Sequence, residues 1–546
     1  FDVRANCSTL HHNHQIMSIL KKIATGLLVL LLLVIIGGWG LSWYISKKLP
    51  SIIRNEKSIP YNISYKDLDI DLLGGSFTMH NANIAPKDSI GVSLQQGAFA
   101  KVKAIRVENF GIWALLTDDR ITVDKVIIDT PNVTLYPREK KYNPDDDIKP
   151  FKNAIRTGSL EIRNGKFRYL DSLKGKIMSA SNISFELNNI RIDSNTVEKN
   201  IPVRYRDYRF ACDSLFYRAG QFYNLTADKF ASSDSTIAVT NFKMVPQQDR
   251  VQFTRMQPRE KDQFAIVAEK ISIPKADWGF VNDTLFVHSP EMVLERVNAN
   301  IYRSKLPKDD PSIKKLYSQM LRELKFDLKL DKLLLKNSTI VYEEQLDFER
   351  PPAKVTFSKF YATVSNIYSP IRKDKLPNTT IDVQCLFMKS APFTVNWSFN
   401  SMDASDSFTI IGRLKDIRSE EVNPVSKPLM NVSTTGNLNE VYFTMNGNRN
   451  RAEGDFAIRY NDLDITVHDK DNLKKEKKLV SALGNLVVKN DTDGDLKEVH
   501  IGVDRNKDKS VFNYIWKFAQ EGLTQTILPK TVAKIAKKKQ EKKAKK

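Results

Sequence analysis

The sequence predicts a mostly β protein: a single N-terminal transmembrane helix, then a long, curved, repeated antiparallel β-sheet that forms a β-groove, with few helices and a C-terminal helix plus basic tail. Three observations predict this fold. An uncharged apolar run of about two dozen residues lies near the start. Apolar and polar residues then alternate with period two over roughly four hundred residues, as in strands with one apolar face. An aromatic-rich segment and a run of lysines close the sequence.

The apolar run from Ile23 to Tyr44 is long enough to cross a hydrocarbon core of about 30 Å as a helix. Lysines flank it on both sides. Trp39, Trp43 and Tyr44 lie near one end, where aromatic rings favour the headgroup layer, so they are candidate membrane-contact residues. We therefore assign residues 17–48 to a retained signal anchor that leaves most of the chain on one side of a membrane.

The two ends of the chain show no folding pattern. Residues 1–16 precede Met17 and are interpreted as a non-native or upstream extension. The chain carries 84 Lys and Arg against 64 Asp and Glu, and part of this excess falls in the lysine-rich tail, residues 530–546. A plain solvated tail is the simpler interpretation, and anionic lipid is a more fitting partner than nucleic acid beside a membrane anchor.

Two stretches of the alternating pattern, residues 61–194 and 208–369, match each other in order. The match predicts duplication of a β unit of about 150 residues. A charged, proline-containing break precedes the later strands of each unit, and in the second it carries a helix predicted over 311–325, with Asp310 as N-cap and Pro311 in the first turn. The matched pairs include Asn81 with Asn241, Asn164 with Asn337 and Asn189 with Asn366.

The last part of the chain predicts a third strand-like region over 377–504 and an apolar helix over 510–528. Apolar residues cover most of the circumference of that helix. Two interpretations remain open: the helix is buried against the last strands, or it contacts lipid through residues such as Phe512 and Trp516.

No motif for catalysis or cofactor binding occurs. The sequence lacks a nucleophile elbow, a P-loop, a G-x-G-x-x-G and an H-E-x-x-H, so we expect no enzyme activity, no cofactor and no metal. The acidic stretch 490–495 is interpreted as a hairpin turn, because Gly494 is misplaced for a calcium loop. For Cys212 and Cys385, buried free thiols are favoured over a disulfide.

An apolar sheet face must be covered by a second sheet, by helices or by an apolar ligand. Since few helices are predicted, the sheet should either form a closed sandwich or curl into a groove that shelters acyl chains. Each buried methylene would contribute about 0.8 kcal/mol. Period two assigns these residues to one common face and therefore to the groove: Val126, Ile128, Val133, Leu135, Ile162, Phe167, Leu335 and Ile340.

Several segments resemble one known family. They are the anchor, YNISYKDLDIDLLGGSFTMHNANIAP, VDKVIIDTPNVTLY, and a C-terminal pattern with Gly412, Asn423-Pro424, Gly436, Gly454 and YNDLDI. Together they resemble the AsmA-like family, relatives of TamB and the bridge-like lipid transfer proteins, in a Bacteroidota-type form. The resemblance implies an inner-membrane protein of a Gram-negative bacterium, with its bulk in the periplasm. It also implies membrane phospholipid as partner, and a role in phospholipid transport or outer-membrane homeostasis.

Two departures and two alternatives qualify that hypothesis. The chain is short for the family, and its lysine tail is not part of the family pattern. A structural or assembly factor of the cell envelope would instead bind other envelope proteins through sheet edges, without carrying lipid. An enzyme with a dispersed site is the weakest alternative, because no cluster of titratable residues stands out.

Overall fold

A computed structural model describes most of the chain after the predicted anchor. The anchor itself, the extension 1–16 and the tail 530–546 lie outside the described residues, as do Trp39, Trp43 and Tyr44. Within the described ranges, no helix combines the length and the apolar character that a membrane span requires. The described residues are 61–71, 75–87, 96–111, 121–137, 155–193, 196, 203–469, 472–477 and 491–527.

The described part of the chain is mostly β, with 22 strands joined mainly by antiparallel pairs, as the alternating pattern predicts. It divides into two compact units, and the division between the first and the second unit falls between Phe242 and Lys243, inside a strand. These compact units differ from the two predicted repeats, residues 61–194 and 208–369.

In the first unit, β1 and β2 both pair with β3, and pairing then follows chain order up to β10. Strand β11 contains the division between the units. The strands are β1 Tyr61–Ser64, β2 Asp67–Asp71, β3 Ser76–Pro86, β4 Gly97–Phe110, β5 Ile121–Asp129, β6 Asn132–Tyr136, β7 Ile155–Leu170, β8 Lys176–Ile192, β9 Asp207–Ala219, β10 Tyr223–Ser233 and β11 Thr236–Pro246.

In the second unit, β12 and β13 both pair with β14, and pairing follows chain order from β14 to β22. The helix predicted over 510–528 is present at Val511–Ile527. The strands are β12 Asp262–Pro274, β13 Asp277–Val281, β14 Thr284–Ser304, β15 Asp327–Gln345, β16 Ala353–Tyr368, β17 Thr379–Phe387, β18 Ala391–Phe399, β19 Phe408–Arg418, β20 Val432–Gly447, β21 Arg451–Val467 and β22 Lys497–Asp504. The helices are α1 Arg250–Met256, α2 Tyr317–Arg322, α3 Asn423–Met430, preceded by a 3-10 turn at Ser419–Val422, and α4 Val511–Ile527.

A parallel pair interrupts the antiparallel order at corresponding places in the two predicted repeats. Strands β5 and β6 run parallel to β7, and β14 runs parallel to β15. A parallel pair needs a crossover connection of about a dozen residues or more. The connections, residues 137–154 and 305–326, contain the two charged, proline-containing breaks noted in the sequence. The shared topology is what duplication predicts, although duplication itself stays a prediction.

Left-handed residues interrupt the strands of both repeats at matched positions. Asparagine is among the non-glycine residues that adopt this conformation most readily. Near the left-handed residues of β7 and β15, the register to the next strand shifts between Ile162 and Phe167, and between Leu335 and Ile340. Such bulges bend a strand and change the phase of its alternation. The matched asparagines have φ of 51° and 53° (Asn81, Asn241), 53° and 47° (Asn164, Asn337), and 51° and 59° (Asn189, Asn366).

The helix predicted over 311–325 is shorter than expected, since α2 covers only Tyr317–Arg322. Asp310 does not cap it. The Asp310 carboxylate accepts from the backbone N–H of Ser312 at 3.1 Å and from the Lys314 ammonium, forming a turn of its own. The backbone N–H of Lys314 donates to the Lys507 carbonyl at 2.8 Å, which is incompatible with a helical bond at this position. These tertiary contacts override the helical spacing.

Each unit has its own packed core. In the first unit the core is formed by apolar side chains from β1 to β8. In the second unit it is formed by β18 to β22 together with α4 and Leu316, the residue just ahead of α2. Cys212 and Cys385 are both buried free thiols, and burial raises the pKa of each, so neither is an activated nucleophile.

Candidate functional site

Six of the predicted groove residues lie in the first unit, on the face that forms its core. Ile128 pairs with Ile162 across β5 and β7, and Val133 pairs with Phe167 across β6 and β7. Val126 and Ile128 are 0% exposed and Ile162 is 6% exposed. These three side chains are therefore part of the packed core of the first unit, and their assignment to a groove lining stays a prediction. Val133, Leu135 and Phe167 keep part of their surface exposed.

The other two predicted residues, Leu335 and Ile340, lie on β15 in the second unit and are half-buried. Their partners on β16 are Ala362 and Phe357. These pair in turn with β17 residues that are four positions apart in a regular strand. Residues four apart in a strand face the same side, so Leu335 and Ile340 share one face despite the bulge between them.

Direct cross-strand pairing extends this face into a continuous row of apolar residues from β12 to β22. We call it the apolar row, and the side of the sheet that carries it the apolar face. On the opposite face, the next positions include Asp382, Asn396, Asp455 and His500. On β17, β18, β21 and β22 the sheet is thus apolar on one side and polar on the other. The apolar row consists of Ile271, Leu294, Leu335, Ala362, Val383, Val395, Gly412, Phe443, Phe456 and Val499.

Helix α4 covers one end of the apolar row. The Phe518 ring lies 6.2 Å from that of Phe443, which is 8% exposed, and Phe456 is 0% exposed. Gly522 of α4 rests directly on the Phe456 ring. Towards β12 the rest of the protein covers the row less completely. The larger residues there are only half-buried: Ile271, Leu294, Leu335, Val383 and Val395.

We expect Gly522→Ala to destabilise the second unit by about 1–3 kcal/mol, because the added methyl group would overlap the Phe456 ring. This outweighs the gain of about 1 kcal/mol that alanine normally gives over glycine inside a helix. The measurement is urea unfolding of the full-length protein followed by tryptophan fluorescence. Asn513→Ala, on the exposed side of α4, is the control and should stay within about 0.5 kcal/mol of wild type. An unchanged or raised stability of Gly522→Ala would contradict the packing of α4.

Half-buried aromatic rings extend the apolar faces. In the second unit, the Phe357 and Phe387 rings lie 5.6 Å apart, and that of Phe393 lies 6.1 Å from Phe387. In the first unit, three rings lie on neighbouring strands from β8 to β10, with separations of 6.4 and 5.9 Å: Phe185, Phe210 and Phe230. All six rings keep part of their surface exposed.

An ionic cluster holds α2 against the second unit. The Asp406 side chain is 2% exposed. It accepts hydrogen bonds from Ser318 Oγ at 2.9 Å, Arg322 Nη2 at 2.6 Å and Arg449 Nη2 at 3.1 Å. Both Ser318 and Arg322 belong to α2, so one buried carboxylate fixes the helix next to Trp397, whose ring lies 5.1 Å from that of Tyr317.

Helix α4 is buried on one side and exposed on the other. Tyr514 and Phe518 are 1% and 0% exposed, whereas Phe512 and Trp516 are 52% and 46% exposed. Burial against the last strands is therefore observed for one side of the helix. Membrane contact through Phe512 and Trp516 stays a prediction.

Within the described ranges, no group of three or more His, Cys, Asp and Glu could hold a metal ion. A comparison with models of known protein families and with curated proteins finds no match.

Proposed function

We propose that the chain is a non-enzymatic, membrane-tethered protein that binds lipid acyl chains along the apolar face of its second unit. We call the section of the apolar row from β12 to β18, which α4 does not cover, the open part. The observation that supports the proposal is the alignment of large half-buried residues in this part, such as Leu294, Leu335 and Val383. Such a surface is unfavourable in water, and each methylene that covers it contributes about 0.8 kcal/mol.

The dimensions of the open part suit an acyl chain. It crosses six strands, β12 and β14 to β18, and neighbouring strands lie about 4.8 Å apart, so its span is about 24 Å. Half of a bilayer core of about 30 Å, the depth that one lipid tail fills, is about 15 Å. The open part is therefore long enough for one tail to lie across the strands, against the apolar side chains of the row.

The cellular setting follows from the sequence pattern. The predicted anchor, residues 17–48, would tether the protein to the inner membrane of a Gram-negative bacterium, with its bulk in the periplasm. The AsmA-like resemblance supports membrane phospholipid as the ligand, in phospholipid transport or outer-membrane homeostasis. In this setting the β-groove is formed by the open apolar face.

Adjacent leucines on opposite faces of β15 provide a matched test. Leu335 is in the apolar row, while Leu334 pairs with Val293 and Thr363 on the other face, and both leucines are half-buried. We expect Leu335→Asp to lower co-purified lipid about tenfold, because a carboxylate in the row must be desolvated when a tail binds. Leu334→Asp should retain lipid. Native mass spectrometry of the full-length protein, released from detergent, measures the lipid bound per chain.

Equal lipid retention in the two variants would contradict the assignment of the face. A lipid-free wild-type protein that captures a defined envelope protein would instead favour the assembly factor. Circular dichroism of both variants verifies that the sheet is folded.

A further inference from the structure

Three buried polar atoms near α2 and α4 have no hydrogen-bond partner within the described part of the chain: Trp397 Nε1, Arg505 Nε and the Tyr514 hydroxyl. Their residues are 7%, 8% and 1% exposed. A buried polar atom without a partner costs about 1–3 kcal/mol, and folded proteins rarely keep several together. All three atoms can donate a hydrogen bond.

The three residues belong to one neighbourhood. The Tyr514 ring lies 6.1 Å from that of Phe408, which lies 6.1 Å from the ring of Trp397. Arg505 donates through Nη2 to the backbone just ahead of α2, and Tyr317 at the start of α2 packs on Trp397. Trp397 also pairs with the β17 and β19 residues adjoining the apolar row.

Carboxylates near these three atoms are already paired with other arginines. The Asp406 carboxylate is already shared by Arg322 and Arg449, and the Asp504 carboxylate, whose charge also acts on Tyr514, is paired with Arg451. Arg505 forms no ion pair among the described residues, and burial lowers the pKa of its guanidinium. Burial also raises the pKa of the Tyr514 hydroxyl, which therefore stays protonated and able to donate. An anion would supply acceptors for these donors and a negative partner for Arg505.

We propose that Arg505 and Tyr514, with Trp397, bind the anionic head of an amphiphile, a carboxylate or phosphate, whose tail lies along the apolar row. The inference rests on the proposed function and adds the chemical class of its ligand. Arg505 Nε and the Tyr514 hydroxyl donate to the head oxygens. Since Arg505 and Tyr514 are 8% and 1% exposed, the proposal requires that the first turn of α4 move aside when the head enters.

Tyr514→Phe separates ligand binding from structure. It removes only the unpartnered hydroxyl, so the unliganded protein should be as stable as wild type or more so. The probes are dodecanoate, dodecanol and inorganic phosphate, each competing with a fluorescent fatty acid on the full-length protein. We expect wild type to bind dodecanoate about tenfold more tightly than dodecanol, and Tyr514→Phe and Arg505→Gln to lose this preference. Tyr442→Phe, on β20 with a hydroxyl bonded to Thr444, is the control and should retain it.

The other possible binding results separate failure of the head site from failure of the proposed function. If wild type binds both dodecanoate and dodecanol without preference, the head site is overturned and the proposed function stands. If wild type binds neither, the proposed function fails as well. A preference that persists in both variants overturns the assignment of these residues. Phosphate that competes as well as dodecanoate overturns the amphiphile in favour of a free anion.

Discussion

Replacing Asp406 by asparagine is expected to lower the unfolding free energy of the second unit by about 3 kcal/mol. The substitution keeps the shape of the side chain and removes the carboxylate that Arg322 and Arg449 share, the only one bonded to them among the described residues. Breaking a buried pair by removing one partner typically costs about 3–5 kcal/mol. The lower end applies because the Arg322 and Arg449 side chains are 25% and 48% exposed, so water screens part of the uncompensated charge.

The loss should be localised at α2. The asparagine amide oxygen can still accept from Ser318 and Arg322, but it carries no negative charge, and the amide nitrogen faces Arg449. Both contacts to α2 therefore weaken, and the connection 305–326 should become sensitive to protease before the rest of the second unit. Urea unfolding and limited proteolysis of the full-length protein measure the two effects. Asp416→Asn is the control, since Asp416 is exposed and its left-handed backbone suits asparagine. A change below 1 kcal/mol in Asp406→Asn would show that the cluster does not fix α2.

The fold class could be predicted from the sequence because strands with one apolar face show an alternation of apolar and polar residues. Period two identified the strands, and the helix predicted over 510–528 is found at Val511–Ile527. The pattern even contained the bulges. In LEIRNGKFRY the apolar positions change phase around Asn164, which is the left-handed residue. A local signal of this kind survives folding because backbone conformation depends mainly on neighbouring residues.

The burial of individual residues could be predicted less well, because it depends on which side chains are covered by distant parts of the chain. Ile128 and Leu335 have the same alternating surroundings in the sequence, yet one is 0% exposed and the other is half-buried. The helix predicted over 311–325 was too long for a similar reason, since contacts with Lys507 and Arg505 hold the residues ahead of α2.

The residues of the ionic cluster and the head site left no recognisable signal. Asp406 lies in a turn whose sequence shows nothing more specific than polar character. Arg505 and Tyr514 lie nine residues apart and belong to no recognisable motif. They come together with Trp397 only because β18, β22 and α4 meet at one end of the sheet. Spacing in one sequence cannot indicate such a convergence.

Helix α4 covers one end of the apolar row, and removing its buried ring should cause a large loss of stability. Phe518→Ala is expected to destabilise the second unit by about 3–5 kcal/mol, because Phe518 is 0% exposed and packs on Phe443. Phe512→Ala, in the same helix and 52% exposed, is the matched control and should have little effect. Urea unfolding of the full-length protein compares the two.

The same variant distinguishes a cover from a ligand-binding element. If α4 occupies the end of a face that otherwise takes acyl chains, loosening it in Phe518→Ala frees Phe443, Phe456 and their neighbours, and the lipid bound per chain should rise. Native mass spectrometry of Phe518→Ala and Phe512→Ala measures this ratio. A fall in bound lipid for Phe518→Ala alone would mean that loosening α4 weakens binding of the head at Tyr514 more than the newly exposed face gains. An unchanged ratio with the predicted loss of stability would mean that lipid occupies only the open part, from β12 to β18, and never reaches the strands beneath α4.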